Sequence, residues 1–312
     1  MDSRIVVVGS LNADLVCSGI PRFPVAGETL TGTSFATLPG GKGANQAYGA
    51  ARLGAPVAMV GQLGRDREGA FLYEHLSAAG VDMAHVGRDA DVSSGVAVIL
   101  VNAEGQNQIV IVPGANGTFG PERLSASAAL IRGAKVVLLQ LEIPLETVAA
   151  AALAARAGDA VVILDPAPAR PLPGALLALV DYLTPNETEL CALTGGGRLA
   201  AAADNRGGLV AEAAARARAL LGAGHASRVL VKLGAHGALL VTRGGEHFWP
   251  GVAVTAVDTT AAGDAFNAAF AVALLEGRTE LEAGAFACAA AAVSVTRRGA
   301  QPSMPTRAEV GG

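Results

Sequence analysis

Five short segments of this chain carry oxygen- or nitrogen-bearing side chains, four of them together with glycine, in ways that suit a charged or hydroxylated ligand. The first is Asp258-Thr-Thr-Ala-Ala-Gly-Asp264, which runs into the apolar stretch Ala265-Phe-Asn-Ala-Ala-Phe-Ala-Val-Ala-Leu-Leu. Small residues and a glycine ahead of an apolar helix leave N–H groups free at the positive end of the helix dipole, and such an end binds phosphate. Asp264, in the first turn, would take the proton of a substrate hydroxyl beside that anion site. The alternative for the same residue is an aspartate that only caps the helix.

The second segment is Leu38-Pro-Gly-Gly-Lys-Gly-Ala-Asn-Gln46. It departs from the P-loop pattern, because Gly43 rather than Ser or Thr follows Lys42. It departs from the dinucleotide fingerprint, because Gln46 stands at the third glycine position and no clean strand precedes it. What remains is a tight turn entering a helix that offers Lys42 and Asn45 to a polyhydroxylated ligand, or a purely structural loop. Gly9-Ser-Leu-Asn-Ala-Asp14 follows an apolar run, where α/β folds place ligands; Asn12 and Asp14 suit sugar hydroxyls, or a plain Asx turn. Thr184-Pro-Asn-Glu-Thr-Glu189 offers hard oxygens that suit Mg²⁺, or a capping box. Val231-Lys-Leu-Gly-Ala-His-Gly237 is a strand and glycine turn that would cradle a nucleotide, or a simple β-turn.

The elements that position these segments follow from the pattern of apolar runs. Strands are expected over 5–9, 56–61, 135–140, 160–165, 182–184 and 228–232, each nearly continuous in Val, Ile and Leu, as in a parallel sheet covered on both faces. Helices are expected over 45–53, 69–79, 145–157 and 209–221. The alternation predicts a three-layer α/β/α fold with a mostly parallel central sheet. Two stretches break the rhythm, about 12–40 and 94–112. The second holds two β-rich runs around Asn102-Ala-Glu-Gly-Gln-Asn, a hairpin signature. Together they predict a small β-sheet that serves as a lid, a dimer contact, or both, or else a mere edge decoration. Segments 195–197 and 204–208 read as loops. With no internal repeat and no linker, residues 1–312 read as one domain.

Composition excludes several classes. Of 312 residues, 51% are hydrophobic and 16% charged, too apolar for a disordered chain. Mean hydropathy is +0.43, but Ala inflates it; the best candidate span, 283–295, falls short of the ~20 apolar residues a membrane crossing needs. The first eight residues lack a secretory pattern, which predicts a cytoplasmic protein. A net charge of −4 without a basic stripe gives no support to nucleic-acid binding. Cys17, Cys191 and Cys288 are far apart, which predicts neither a zinc site nor a disulfide framework. Only three lysines occur, and two of them, Lys42 and Lys232, fall in the glycine-rich segments.

Taken in order, the five segments, with Gln140-Leu-Glu142, Pro166-Ala-Pro-Ala-Arg170 and Val295-Thr-Arg-Arg-Gly-Ala-Gln-Pro-Ser303, resemble the ribokinase branch of the PfkB carbohydrate kinase family over nearly the whole chain. The resemblance implies ATP-dependent phosphorylation of D-ribose at O5. It implies Asp264 as general base, with the N–H groups of Ala261, Ala262 and Gly263 as the anion hole. Asn12, Asp14, Gly41, Lys42, Asn45 and Glu142 would hold the sugar. Asn186, Lys232, Gly234, His236, Gly237 and Gly263 would contact ATP, with Cys288 in the helix near the adenine. Glu189 would act on Mg²⁺ through water. A K⁺ activator would sit among Asp258, Thr260, Ser294, Arg297, Gly299 and Ser303, largely on backbone carbonyls. A homodimer through the β lid is the expected assembly. Lys232 stands where Thr is frequent in that branch, and Asp165 where Asn is frequent. Relatives acting on deoxyribose or a nucleoside, and a non-catalytic sugar- or nucleotide-binding protein, are the competing readings.

Overall fold

Val and Ile crowd the first apolar run, and their stiff branched side chains favour a pleated strand buried on both sides. In the computed structural model, which describes residues 4–199, 206–222 and 226–311, that run is β1 (Ile5–Val8), every residue of it buried. The chain continues through β2 (Asn12–Ile20), β3 (Ser34–Gly40), β4 (Val57–Gly64), β5 (Asp82–Asp89), β6 (Gly95–Asn102) and β7 (Asn107–Val112). It then forms β8 (Val136–Leu139), β9 (Val161–Leu164), β10 (Tyr182–Leu183), β11 (Arg228–Lys232), β12 (Gly237–Thr242) and β13 (Gly245–Pro250).

Among the described residues the main sheet has nine strands in the order β13-β12-β11-β10-β9-β8-β1-β4-β5. Its strands run parallel from β11 to β5, and β12 and β13 are added antiparallel. Successive side chains of a strand face opposite sides, so β1 feeds two cores. Val6 and Val8 pack with the helices Leu145–Arg156 and Arg206–Gly222. Ile5 and Val7 pack with the helices Lys42–Arg52, Ala262–Leu275 and Glu280–Ser294. The expected three layers are therefore present.

The expected hairpin is also present. The second sheet has the order β3-β2-β6-β7, with β2 and β6 parallel and the outer pairs antiparallel. Its outer strand is exposed throughout, including Ile109, Val110, Ile111 and Val112. Only Gly9, Ser10 and Leu11 separate β1 from β2, so this one turn passes from the main sheet into the small one.

Three local expectations shift. The helix after the glycine turn begins at Lys42 rather than Asn45. The hairpin β12–β13 lay hidden because Gly237-Ala-Leu-Leu-Val-Thr and Gly245-Glu-His-Phe-Trp-Pro alternate weakly. Segment 204–208 is not a loop over its second half: Arg206, Gly207 and Gly208 start a helix, while 204 and 205 lie outside the described residues. Gly195, Gly196 and Gly197 do form a turn, all at positive φ. No helix among the described residues is long and apolar enough to cross a membrane.

Candidate active site

The N-terminus of the helix Ala262–Leu275 places Asp264 in its first turn. Asp264 does not cap that helix. Ala261 takes the N-cap position in the left-handed region (φ 58°), and no side chain caps it. The Asp264 carboxylate turns inward instead: Asn45 Nδ2 donates to its Oδ2 and Gln46 Nε2 to its Oδ1, each at 3.0 Å. Burial, reinforced by the nearby charge of Asp165, pushes Asp264 up to about 6; Lys42 and the two amides oppose the rise. A carboxylate with that affinity is suited to accept a proton near neutral pH.

Of the three N–H groups expected to form the anion hole, Ala262 is engaged, donating to the Thr259 carbonyl at 3.2 Å. Its N–H closes the turn that drives Ala261 to positive φ. The N–H groups of Ala261 and Gly263 have no backbone acceptor among the described residues. These two remain free at the helix end.

The glycine-rich loop of the second segment is closed on itself. Gly41 has φ 88°, and a Cβ there would meet the backbone N of Asn12 at 2.7 Å, so only glycine fits. Ala44 N–H donates to the Ser10 carbonyl (2.9 Å) and Lys42 N–H to Glu142 Oε2 (3.0 Å), so side chain and turn take the place of a phosphate. Ser10 Oγ donates to the same Glu142 oxygen at 2.5 Å, which leaves Glu142 Oε1 without a protein partner among the described residues. Asn12 is held by Asn116, whose Nδ2 donates to Asn12 Oδ1 at 2.8 Å, so the Asn12 amide N–H groups face outward from that bond. Burial, and then the charge of Glu142, push Asp14 up to about 7. A Cβ at Gly40 would lie 2.2 Å from Asp14 Oδ2. Asn12, Gly41, Lys42 and Glu142 thus meet at the turn from β1 into β2, Asp14 feels the charge of Glu142, and Lys42 faces both Glu142 and Asp264. Asn45 is also expected to hold the sugar. Its amide bonds Asp264 and its carbonyl accepts from Gln301 Nε2 (3.2 Å), so both ends are engaged within the protein.

Asp264 also lines a cavity of about 500 Å³. Lys42, Asn186, Glu189, Lys232, Gly263 and Cys288 are among its lining residues, as are Gly234 and Gly237. His236 sits in the same turn but does not line the cavity. Asn186 and Glu189 form a reciprocal capping box for the helix Glu187–Leu193, which is the capping alternative of that segment. Burial raises Glu189, as does the charge of Asp165, against Lys232 and Lys42. Lys42 is surrounded by Asp264, Asp165, Glu142 and Glu189; burial alone would lower it, and these four carboxylates hold it above the ordinary lysine range. Burial pushes the Cys288 thiol up to about 11, so it is an apolar wall and not a nucleophile.

Beside the anion site, two loops are tied together by Asp258. Its Oδ1 accepts from Thr260 N (2.9 Å) and its Oδ2 from Gly299 N (2.8 Å). Ser294 and Ser303 turn their hydroxyls back to Ala291 O and Ala300 O, and Arg297 pairs with Glu309. What these loops leave for a cation is main-chain carbonyl oxygen. Among the described residues no three His, Cys, Asp or Glu side chains gather as a metal cluster.

Three side chains absent from the expected set complete the site. Gln46 joins Asp264 to Asp165, Gln140 Nε2 donates to Gln46 Oε1 (2.7 Å), and Lys232 Nζ donates to Asp165 Oδ1 (2.9 Å). Gln46 was visible only as a misfit in the glycine pattern, and Asp165 only as a departure from the usual Asn.

The match to known proteins extends over the same residues. The model of the pfkB family carbohydrate kinases matches residues 2–307. The chain is 41% identical over 309 residues to the ribokinase of Haemophilus influenzae, covering 99% of this chain and 97% of that one. It is 37% identical over 303 residues to the deoxyribokinase of Salmonella typhi, covering 97% and 95%. The structure of Arabidopsis thaliana ribokinase complexed with ribose and ATP superposes with a TM-score of 0.88 at 40% identity, covering 99% of this chain and 98% of that one. By family model, sequence and fold together, the chain belongs to the pfkB family of carbohydrate kinases.

Proposed function

We propose that this chain uses ATP to phosphorylate D-ribose at O5, giving ribose 5-phosphate and ADP. One observation carries the reading: Asp264 lines a nucleotide-sized cavity together with Lys42 of the glycine turn, beside free N–H groups at a helix end. The similarity to ribokinases and the Arabidopsis complex with ribose and ATP support it.

The sugar would lie against Asn12, Asp14, Gly41, Lys42 and Glu142, with its O5 hydroxyl at Asp264. Asp264 accepts the O5 proton as O5 bonds to the γ-phosphorus, and the bond from that phosphorus to the β-γ bridging oxygen breaks to release ADP. The N–H groups of Ala261 and Gly263 stabilise charge on the phosphoryl group in transit, with Ala262 joining if its turn opens. Lys232 and Lys42 add positive charge. The wall at Cys288 receives the base. The hard oxygens of Glu189 and the Asn186 amide suit Mg²⁺ held through water; bound there, it would offset the phosphate charge. The carbonyl-rich loops at Asp258, Thr260, Ser294, Arg297, Gly299 and Ser303 suit K⁺, which would stiffen the turn next to the anion site.

The small sheet, about 12–40 and 94–112, acts as a lid of a single 1–312 domain, excluding water from the transferring phosphoryl group. Its exposed Ile109, Val110 and Ile111 suit a homodimer contact, and the chain is read as cytoplasmic. The likeness to a deoxyribokinase favours one other substrate. Purified protein with ATP and a pentose panel decides: fastest turnover on ribose is expected, and faster turnover on deoxyribose or a nucleoside would overturn the substrate assignment.

A further inference from the structure

Gln46 is fully buried on the helix Lys42–Arg52, one residue beyond the Asn45 expected to bind sugar. Its Nε2 donates one bond to Asp264 Oδ1 (3.0 Å) and one to Asp165 Oδ2 (3.1 Å). An amide nitrogen has two protons, and here each goes to a different carboxylate. The Oε1 accepts from Gln140 Nε2 at 2.7 Å, so a flip of the amide would break all three bonds at once. The other oxygen of Asp165 holds Lys232 Nζ at 2.9 Å, in the wall of the nucleotide cavity. Lys232 lies against the anion-site glycine: a Cβ on Gly263 would be 3.3 Å from its Nζ. A continuous polar path therefore runs from the cation facing the nucleotide to the carboxylate facing the sugar.

We propose that Gln46 is a positioning residue for phosphoryl transfer, bridging Asp264 and Asp165 so that the base and Lys232 are held in one fixed geometry. The inference rests on the reading of Asp264 as the base. A residue that only filled this space would not need an amide. Two buried carboxylates side by side repel, and a donor between them offsets that repulsion where water is excluded. The charged groups facing Asp264 are Lys42 and Asp165, and with Gln46 on Oδ1 and Asn45 on Oδ2 the carboxylate is held at both oxygens.

The test compares Gln46→Ala, Asp165→Asn and Asp264→Asn through kcat, both KM values and the pH profile of kcat. Thermal melts and calorimetric ATP binding check folding. Gln46→Ala removes a donor to the ionised base, so the acid limb of the profile moves to higher pH. Its kcat falls at least tenfold at neutral pH, while KM for the sugar stays within about threefold. Asp165→Asn removes a neighbouring negative charge, so the limb moves to lower pH. Opposite displacements in the two variants are the expected signature, because damage to packing would not produce a pair of opposite sign. A Gln46→Ala enzyme with wild-type kcat and an unmoved limb overturns the proposal, as does an equal loss at every pH with a raised sugar KM. If Gln46→Ala does not fold, the near-isosteric Gln46→Met takes its place: a limb displaced upward with lowered kcat supports the bridge, and wild-type kcat with an unmoved limb overturns it. Failure of the underlying base assignment is read separately, as retained turnover in Asp264→Asn.

Discussion

Gln301 stands 256 positions from Asn45 in the chain, yet its Nε2 donates to the Asn45 carbonyl at 3.2 Å. Asn45 in turn donates to Asp264 Oδ2, and its neighbour Gln46 donates to Oδ1. Two consecutive residues of one helix thus grip both oxygens of the same carboxylate. Each grip is oriented by a glutamine from elsewhere, Gln301 just beyond Gly299 and Gln140 just beyond β8. Amide–carboxylate bonds of this kind are stronger when buried, so the proposed base is held with little freedom.

The pH dependence of turnover follows from the burial of Asp264. With its affinity pushed up to about 6, the carboxylate is ionised at neutral pH and protonated below. The wild-type kcat is expected to fall about tenfold per pH unit well below that value, and to level off above it. Asp264→Asn is expected to lower kcat by about a thousandfold or more while ribose and ATP still bind by calorimetry. Normal kcat in that variant would remove the assignment.

Asp14 carries a stability cost, which its proposed contact with the sugar would offset in function. Burial and Glu142 raise it from 3.8 to about 7, so the folded chain binds a proton there that the unfolded chain has lost. Stability from this group is therefore full below about pH 4 and declines as pH rises to about 7. Asp14→Asn is expected to raise the melting temperature at pH 8 by about 2 °C and to give no gain at pH 4. The same change should raise the KM for ribose at least tenfold by a coupled assay. An equal Tm gain at both pH values would refute the linkage.

Ala261 holds a conformation that costs an L-residue about 1 kcal/mol. Ala261→Gly is expected to stabilise the protein by about 0.5 kcal/mol or leave it unchanged, read from urea midpoints. Ala261→Val should destabilise it and lower kcat, because a β-branched residue resists φ near 58°. Destabilisation by glycine equal to that by valine would contradict the strain argument.

The loops proposed to hold K⁺ predict a salt effect. Turnover should be higher in K⁺ than in Na⁺ at equal ionic strength. Asp258→Ala removes the acceptor for both Thr260 N–H and Gly299 N–H, so the difference should vanish with it. Equal wild-type rates in the two salts would dispose of the cation site.

The sheet was legible because it rests on local information. Val6, Val137, Val162 and Val229 each lie in a short Val-rich run bounded by turn residues, which has few alternatives to a buried parallel strand. The antiparallel pair β12–β13 was not legible, since its runs carry His247 and Glu246 among apolar residues and lack a strict period. The candidate base and its glycine were visible as a small-residue run ahead of an apolar helix.

By itself the sequence determined that a carboxylate and a glycine meet a helix start, and that a glycine turn follows the strand at 228–232. Those are properties of neighbours along the chain, set by sterics and by the dipole of a few peptide units. The tertiary structure alone decided which way the amides face. Asn45 points to Asp264, Gln46 spans to Asp165, and Ala262 gives its N–H to Thr259, because burial leaves each polar group no water and obliges it to find a partner brought in from another part of the chain.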